Sequence, residues 1–162
     1  MFTAAVLTVS DSAFKKLRED LSGPTVKRIL EEIGFEVKDI TVVPDETDFI
    51  VTALERFCAD GVNLIATTGG TGFSPRDVTP EATVKVAERL VPGVGEAMRA
   101  NSMRYTDKAM LSRAVCGIKK STVILNLPGS PKACEENLNF VINPLKHGIE
   151  VLLGRVGECA RK

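Results

Sequence analysis

The sequence contains no tryptophan and only one tyrosine and one histidine among its 162 residues. Proteins that bind single-stranded nucleic acid without sequence preference usually stack the bases on several aromatic side chains, and this chain offers few of them. The single histidine, His147, falls in a stretch with helical periodicity, where we expect a surface or helix C-terminal position. The sequence therefore favours neither a nucleic-acid-binding platform nor a histidine-based catalytic site.

The chain also lacks a net charge, because its 21 Lys and Arg residues are balanced by 21 Asp and Glu residues. A neutral protein has no long-range field that would attract nucleic acid or an anionic membrane. We therefore expect no nucleic-acid partner and no membrane partner. Any site that binds an anion must be built locally.

Metal-binding and targeting motifs are missing as well. The four cysteines, Cys58, Cys116, Cys134 and Cys159, are far apart and form no Cys-x-x-Cys pair. We expect reduced, mostly buried thiols and no structural zinc site. The N-terminal segment has neither a basic leader nor a long apolar run, which predicts no signal peptide, no membrane span and a cytoplasmic protein.

The sequence does contain a regular alternation of apolar runs and helical stripes, over a length that suits one domain, which we assign to residues 1–162. Apolar runs that predict strands lie at 3–9, 35–43, 62–66, 115–119 and 122–127, the last two spaced as a hairpin. Helical patterns lie at 22–33, 46–60, 80–90, 95–112 and 131–153, with a kink or restart at Asn143-Pro144. The expected helix N-caps are Ser22, Thr79 and Ser130, and Asp45 is a further candidate. This order predicts an α/β fold with a largely parallel sheet, one antiparallel strand and helices on both faces.

A glycine-rich loop follows the third predicted strand. The segment from Thr67 to Glu81 places three glycines within four residues, and successive backbone N–H groups in such a turn form an anion-binding concavity. The loop is not the P-loop of nucleoside triphosphatases, which needs Gly-Lys-Ser/Thr at its end. Asp77 would repel a bound phosphate unless a divalent cation lay between them, so the loop and the acid together indicate a metal-nucleotide site. The alternative is that the glycines only turn the chain and that Asp77 supports that turn.

Polar loops also follow other predicted strands. Asp45 comes directly after the second strand, where its alternative role is the N-cap of the next helix. The carboxyl ends of parallel strands meet at one edge of a sheet, and ligands bind there in open α/β sheets. The segments at this edge are Ser10-Asp11, Pro44-Asp45, Gly69 to Asp77 and Pro128 to Lys132. Their convergence favours a binding site over a set of unrelated turns.

Several separated segments resemble the MoaB/Mog-type molybdopterin-binding family, which includes bacterial molybdopterin adenylyltransferases and related domains of molybdenum-cofactor proteins such as gephyrin. The matching segments, which extend over nearly the whole chain, are Thr8-Val9-Ser10-Asp11, Asp20-Leu21-Ser22-Gly23-Pro24, Val43-Pro44-Asp45-Glu46, Thr67-Thr68-Gly69-Gly70-Thr71-Gly72, Arg76-Asp77-Val78-Thr79-Pro80-Glu81-Ala82, Leu111-Ser112-Arg113 and Asn126-Leu127-Pro128-Gly129-Ser130-Pro131. The resemblance implies a three-layer α/β/α fold with a mostly parallel mixed sheet, and a homotrimer. It also implies transfer of AMP from Mg²⁺-ATP to the terminal phosphate of molybdopterin, with release of pyrophosphate.

The resemblance further implies roles for individual residues. Two aspartates matter for adenylyl transfer in the family, and at their positions this sequence has Asp45 and Asp77, which we expect to be catalytic and to hold Mg²⁺. We expect the phosphate of molybdopterin to bind the glycine-loop amides, and the turn at Pro128 is a candidate for holding the nucleotide. The expected substrate-binding residues are Ser10, Asp11, Gly69, Gly70, Thr71, Gly72, Ser74, Arg76, Pro128, Gly129, Ser130 and Lys132.

The chain departs from the family pattern at two places. The loop between Asp11 and Asp20 lacks the glycine often found there, and Phe73-Ser74 follows the third glycine where relatives differ. One alternative function is a non-catalytic molybdopterin-binding or carrier trimer, although retention of both aspartates favours the enzyme. Another is molybdate insertion, an activity of longer relatives, and the sequence leaves open whether an insertion enzyme is a partner. A generic nucleotide-binding domain would not explain the joint match.

Overall fold

The computed structural model describes residues 1–155 and contains a six-stranded sheet between two layers of helices. The strands are β1 (Phe2–Val9), β2 (Phe35–Val43), β3 (Leu64–Thr68), β4 (Arg89–Leu90), β5 (Cys116–Lys119) and β6 (Thr122–Leu127). The helices are α1 (Asp11–Phe14), α2 (Ser22–Glu32), α3 (Thr47–Ala59), α4 (Thr79–Val86), α5 (Pro92–Ser102) and α6 (Pro131–Leu152), and a 3₁₀ helix covers Asp107–Leu111. The predicted three-layer α/β/α fold is confirmed.

The sheet has the strand order β2-β1-β3-β6-β5-β4. β1 pairs in parallel with β2 and β3, and β3 pairs in parallel with β6. β5 runs antiparallel to both β4 and β6, so it is the one reversed strand that the hairpin spacing predicted. Because β1, β3 and β6 lie side by side in the same direction, the loops that follow them emerge next to one another.

The core explains why β1 is a continuous apolar run. Ala4 and Val6 belong to the cluster that packs against α2, α5 and α6, whereas Ala5 and Leu7 belong to the cluster that packs against α3 and α4. All four side chains are fully buried. A strand covered on both faces needs no polar residues at alternating positions, which is the pattern of buried parallel sheets.

Two predicted helix ranges were wrong, and one of two alternatives for the last helix is excluded. The helix expected at 80–90 ends at Val86, because the chain then joins the sheet as the two-residue strand β4, held by hydrogen bonds from the Glu88 and Val91 N–H groups to β5 carbonyls. The helix expected at 95–112 begins earlier and ends at Ser102. Of the kink or restart expected at Asn143-Pro144, the restart is absent, because α6 continues through the exposed Pro144 while Leu145 and Ile149 stay buried in the core.

The predicted N-caps also differ. Ser130 is the N-cap of α6, and its hydroxyl accepts a hydrogen bond from the Ala133 N–H at 3.2 Å, as expected. The other three N-caps are Leu21, Glu46 and Val78, and none of them makes a side-chain capping bond. Ser22, Asp45 and Thr79 hydrogen-bond elsewhere instead, with partners that are distant in sequence for Asp45 and Thr79. Asp45 therefore does not cap the N-terminus of α3.

The cysteines of the described residues are free thiols, with Cys116 and Cys134 buried and Cys58 half-buried. Burial raises the pKa of the Cys116 thiol to about 12 and that of the Cys134 thiol to about 11, so both stay protonated at neutral pH. Cys159 lies outside the described residues. Within residues 1–155, no helix combines the length and the apolar character needed to cross a membrane.

Candidate active site

The structure brings the loops after β1, β3 and β6 into contact at the carboxyl edge of the sheet. Gly69 donates its N–H to the Leu127 carbonyl at 3.3 Å, and a Cβ atom on Gly69 would collide with the backbone carbonyl of Val9. Gly129 lies against the same glycine, since a Cβ atom placed on it would be 3.6 Å from the Gly69 Cα. Only a residue without a side chain fits between these two neighbouring loops.

The carbonyl groups of residues 69–72 in the glycine loop all accept hydrogen bonds from other parts of the protein. Thr79 donates its hydroxyl to the Gly69 carbonyl at 2.9 Å and its N–H to the Gly70 carbonyl at 3.1 Å. Arg113 donates its backbone N–H to the Thr71 carbonyl at 2.9 Å and its Nε–H to the Gly72 carbonyl at 2.8 Å. Four consecutive peptide oxygens are therefore fixed by only two residues.

Three of the N–H groups of the same loop have no such partner. Those of Gly70, Thr71 and Gly72 donate no hydrogen bond to any residue within 1–155. Gly69 and Gly70 have φ angles of +93° and +67°, in the left-handed region that glycine adopts readily. Successive unpaired amides in such a conformation form an anion-binding concavity. The loop can thus hold a phosphate group through its backbone.

Asp45 borders this concavity and is tied to the loop after β1. Its Oδ2 accepts the Asp11 N–H at 2.8 Å, and its own N–H donates to Asp11 Oδ1 at 3.0 Å. A Cβ atom on Gly70 would lie 3.3 Å from Asp45 Oδ1, which places this carboxylate beside the loop. Burial raises the pKa of the half-buried Asp45 carboxyl group, and the negative charges of Asp11 and Asp77 raise it further.

Asp77 borders the other half of the loop. Its Oδ2 accepts the Ser74 N–H at 2.9 Å, and a Cβ atom on Gly72 would lie 3.0 Å from the same oxygen. Asp77 therefore does support a local turn, as the structural alternative requires. Its negative charge also contributes to the raised pKa of Asp45, and both carboxylates border the glycine loop.

The Arg76 guanidinium is paired with the carboxylate of Asp11 in the structure. Its guanidinium donates two hydrogen bonds to Asp11, from Nε at 3.0 Å and from Nη2 at 2.9 Å, and Glu46 lies 3.7 Å from Nη2. These hydrogen bonds hold the pKa of Asp11 below its ordinary value. A phosphate would have to compete with Asp11 for Arg76, so Arg76 and Asp11 form a pair that joins the β1 loop to the glycine loop.

The remaining predicted residues are placed differently. The Ser10 hydroxyl accepts the Ala13 N–H at 3.2 Å and so caps α1, and the Ser74 hydroxyl accepts the Arg76 N–H at 3.2 Å. Lys132 is highly exposed and pairs with Glu136 on its own helix at 4.0 Å. No hydrogen bond or ion pair joins Lys132 to the glycine loop in the part of the chain that the structure describes.

Two cavities reach the glycines of the loop, and a third, of about 390 Å³, lies between Asp45 and Arg76. One of about 340 Å³ is lined by polar groups that include Ser10, Asp20, Gly69 and Ser130. The other, of about 270 Å³, is mostly apolar and reaches from Thr71 and Gly72 to the 3₁₀ helix and α5. The glycine loop therefore has room for a ligand along each of its halves.

Two residues at this site are not among those that the sequence predicts. Asp20 accepts the Thr8 hydroxyl at 2.7 Å and the Gly23 N–H at 3.0 Å, and it lines the larger of the two cavities that reach the glycines. Arg113 binds the glycine loop as described above. Both residues fall in segments that carry the family resemblance, which is the signal that points to them. Neither follows directly after a predicted parallel strand, so the edge argument does not select them.

Asp45 and Asp77 are the residues that could hold a divalent cation. The Oδ1 atom of each carboxylate accepts no hydrogen bond from any described residue. Within residues 1–155 there is no cluster of three or more His, Cys, Asp or Glu side chains suited to a metal ion. Mg²⁺ is usually held in proteins by one or two carboxylates together with substrate phosphates. Each carboxylate thus leaves one oxygen that could bind a cation, whose other ligands would have to come from a substrate or from water.

We expect the variant Asp45→Asn to respond to pH differently from the native protein. Because the folded-state pKa of Asp45 is raised, the folded state binds more protons than the unfolded state once the pH exceeds the ordinary aspartate pKa of about 4, and ionisation of Asp45 then lowers the free energy of unfolding as pH rises. The melting temperature of the variant minus that of the native protein should therefore increase as the pH rises. Thermal unfolding at a series of pH values measures it, with Asp48→Asn on the exposed first turn of α3 as the matched control. A difference that stayed constant with pH would contradict the burial argument.

Comparison with known proteins gives a consistent set of relatives. A family model described as "probable molybdopterin binding domain" matches residues 5–147. The molybdopterin adenylyltransferase of Helicobacter pylori strain 26695 is 41% identical over 160 residues, which cover 97% of this chain and 91% of that protein. Gephyrin of Dictyostelium discoideum is 40% identical over 157 residues, 91% of this chain and 22% of that longer protein. The crystal structure of the molybdopterin biosynthesis enzyme MoaB from Thermus thermophilus is 43% identical, with a TM-score of 0.88 over 95% of this chain and 98% of that one.

Proposed function

Because this chain belongs to the family of probable molybdopterin-binding domains, we propose that it is a molybdopterin adenylyltransferase of molybdenum-cofactor biosynthesis. The proposed reaction transfers AMP from Mg²⁺-ATP to the terminal phosphate of molybdopterin and releases pyrophosphate. The observation that carries the proposal is the row of unpaired amides at Gly70, Thr71 and Gly72, bordered by the carboxylates of Asp45 and Asp77. Relatives that bear this enzyme's name support it along nearly the full length of the chain.

The chemistry requires positioning more than proton transfer. An oxygen of the molybdopterin phosphate attacks the α-phosphorus of ATP, a new P–O bond forms, and the bond to the β-phosphate breaks to release pyrophosphate. The attacking oxygen is already ionised at neutral pH, so no general base is needed, and holding the two phosphates in line supplies much of the rate. The amides of Gly70, Thr71 and Gly72 would bind and orient the phosphate of molybdopterin, and Asp45 and Asp77 would hold Mg²⁺. When bound, Mg²⁺ neutralises charge that develops on the phosphate oxygens.

The two cavities fit a reaction with two substrates. Both adjoin the glycine loop, one at Gly69 and the other at Thr71 and Gly72, so ligands in them would approach the same amides. The polar cavity also contains Gly129 and Ser130, the turn expected to hold the nucleotide. We therefore propose that molybdopterin and ATP meet at the glycine loop, one from each side.

Single-turnover conversion of molybdopterin and Mg²⁺-ATP to adenylyl-molybdopterin tests the proposal. We expect pyrophosphate and adenylyl-molybdopterin to appear in equal amounts, and we expect both to disappear when the metal is chelated. Molybdopterin binding is measured on the same samples. Tight binding without any transfer would overturn the proposed activity and would identify a binding or carrier protein of the same family.

We also propose that the protein is a homotrimer. The chain after α5 carries exposed apolar side chains at Met103, Tyr105, Met110 and Leu111, and Met and Tyr are enriched at subunit contacts. Multi-angle light scattering should give three times the mass of the 17.5 kDa chain at working concentrations. A monomer mass would contradict the prediction. The assignment of residues 1–162 to a single domain, the cytoplasmic location and a molybdate-insertion enzyme as partner stay predictions from the sequence.

A further inference from the structure

The side chain of Arg113 makes hydrogen bonds to parts of the glycine loop that are far from it in the sequence. It lies between the 3₁₀ helix and β5, yet its Nε–H donates to the Gly72 carbonyl at 2.8 Å, across 41 residues of chain. Its Nη2 donates to the Asp77 carbonyl at 2.6 Å, across 36 residues, and its Nη1 pairs with Glu81. The guanidinium thus holds two backbone oxygens on the two sides of the Phe73–Arg76 turn.

The direction in which the loop carbonyl groups point determines which N–H groups of the loop face the candidate phosphate site. In a trans peptide the C=O of one residue and the N–H of the next point in opposite directions within one plane. Thr79 holds the carbonyls of Gly69 and Gly70 and so turns the N–H groups of Gly70 and Thr71 outward. The Arg113 backbone does the same for the Gly72 N–H.

The Arg113 side chain extends this row by one more peptide. Because its guanidinium holds the Gly72 carbonyl, the N–H of Phe73 must point away from Arg113, and this N–H has no hydrogen-bond acceptor among residues 1–155. A charged donor strengthens the bond to a carbonyl oxygen and polarises the peptide, which makes its N–H a better donor to an anion. The same side chain fixes the backbone of Asp77, whose carboxylate borders the loop.

We propose that Arg113 is a positioning residue for adenylyl transfer, which aims the Phe73 N–H at the bound phosphate as a fourth amide donor and fixes the backbone that carries Asp77. The proposal rests on the proposed function and adds a residue to its machinery. Arg113 acts from behind the loop, since its guanidinium faces the carbonyl side of the peptides and not the unpaired amides. Its ion pair with the half-exposed Glu81 is a separate contact that can be removed independently.

Arg113→Ala, Arg113→Lys and the control Glu81→Gln test the proposal, each checked first by thermal unfolding. With Arg113→Ala we expect the single-turnover rate at saturating substrates to fall about 10- to 100-fold, and molybdopterin to bind more weakly. The loss should be smaller than the roughly 100- to 1,000-fold cost of removing a transition-state donor, because the Phe73 N–H is misaligned and not removed. Added guanidinium ion, kept well below denaturing concentration, should restore part of both. Arg113→Lys keeps the charge but cannot bind both carbonyls in a fork, so an intermediate rate is expected. Glu81→Gln should leave rate and binding unchanged.

The outcomes separate this proposal from the proposed function. A folded Arg113→Ala protein with native rate and native molybdopterin affinity would overturn the role of Arg113, and so would a loss that guanidinium does not restore. If the native protein transfers no AMP, the proposed function fails, while molybdopterin affinity still tests Arg113. Weaker binding by Arg113→Ala that guanidinium restores would then support the positioning of the Phe73 amide. Should Arg113→Ala fail to fold, Arg113→Lys carries the same comparison of rate and affinity.

Discussion

Replacing either Asp45 or Asp77 with asparagine is expected to lower the single-turnover rate of adenylyl transfer by about 100- to 1,000-fold. Neutralising charge on the transferring phosphates is worth several kcal/mol, and each 1.36 kcal/mol corresponds to about a factor of ten. An asparagine has nearly the same shape but no negative charge, so the proposed Mg²⁺ site would lose one of its two protein ligands. Molybdopterin binding should change much less, because it depends on the amides of the glycine loop.

Asparagine also separates the catalytic role of Asp77 from its structural one. The Asp77 Oδ2 accepts the Ser74 N–H, and an amide oxygen can accept the same bond, so the turn should survive. If the aspartate only supported the turn, Asp77→Asn would keep most of the native rate. Asp60→Asn is the control, since this exposed residue lies at the far end of α3 and makes only backbone hydrogen bonds. Native rates in both Asp45→Asn and Asp77→Asn would contradict the metal-binding role.

Gly69→Ala should produce the largest loss of stability of any single methyl addition at the site. Its φ angle of +93° is unfavourable for alanine, and the added Cβ would collide with the backbone carbonyl of Val9. Backbone cannot move aside as a flexible side chain can, so β1 and the glycine loop must separate. We expect the free energy of unfolding to fall by about 3 kcal/mol or more, with loss of transfer activity.

Gly34→Ala isolates the conformational part of that effect. Gly34 has nearly the same φ angle, +91°, but a Cβ atom there would meet nothing within 4 Å. The strain of the left-handed conformation alone costs about 1–2 kcal/mol. Chemical denaturation of both variants gives the comparison. Equal losses would show that the contact with Val9 is relieved at no cost, contrary to this account.

Much of the fold follows from local sequence patterns, because periodicity and turn residues are local properties. The apolar run of β1, the hairpin of β5 and β6 and the cap of α6 at Ser130 are all read from neighbouring residues, and the structure confirms them. The short strand β4 has no such pattern. Its two residues are exposed and belong to the sheet only because β5 lies beside them.

The candidate site is harder to predict, because its partners are distant along the chain. Asp45 has the local pattern of an N-cap, and only the Asp11 N–H, 34 residues away, draws its side chain to the site. Arg76 looks free to bind phosphate until the fold supplies Asp11 as its partner. The family resemblance identifies the positions of Asp45 and Asp77, but it does not say which peptide oxygens Arg113 holds.

The two carboxylates are carried by parts of the sheet that differ in how firmly they are held. β3, which leads into the glycine loop, pairs with a strand on each side, whereas β2, which leads to Asp45, lies at the edge and pairs only with β1. Local unfolding that breaks the hydrogen bonds between β1 and β2 would therefore displace Asp45 while the glycine loop stays folded. In native-state hydrogen exchange the β2 amides should lose protection before those of β3. The enzyme would then still bind phosphate after it had lost the ability to transfer AMP.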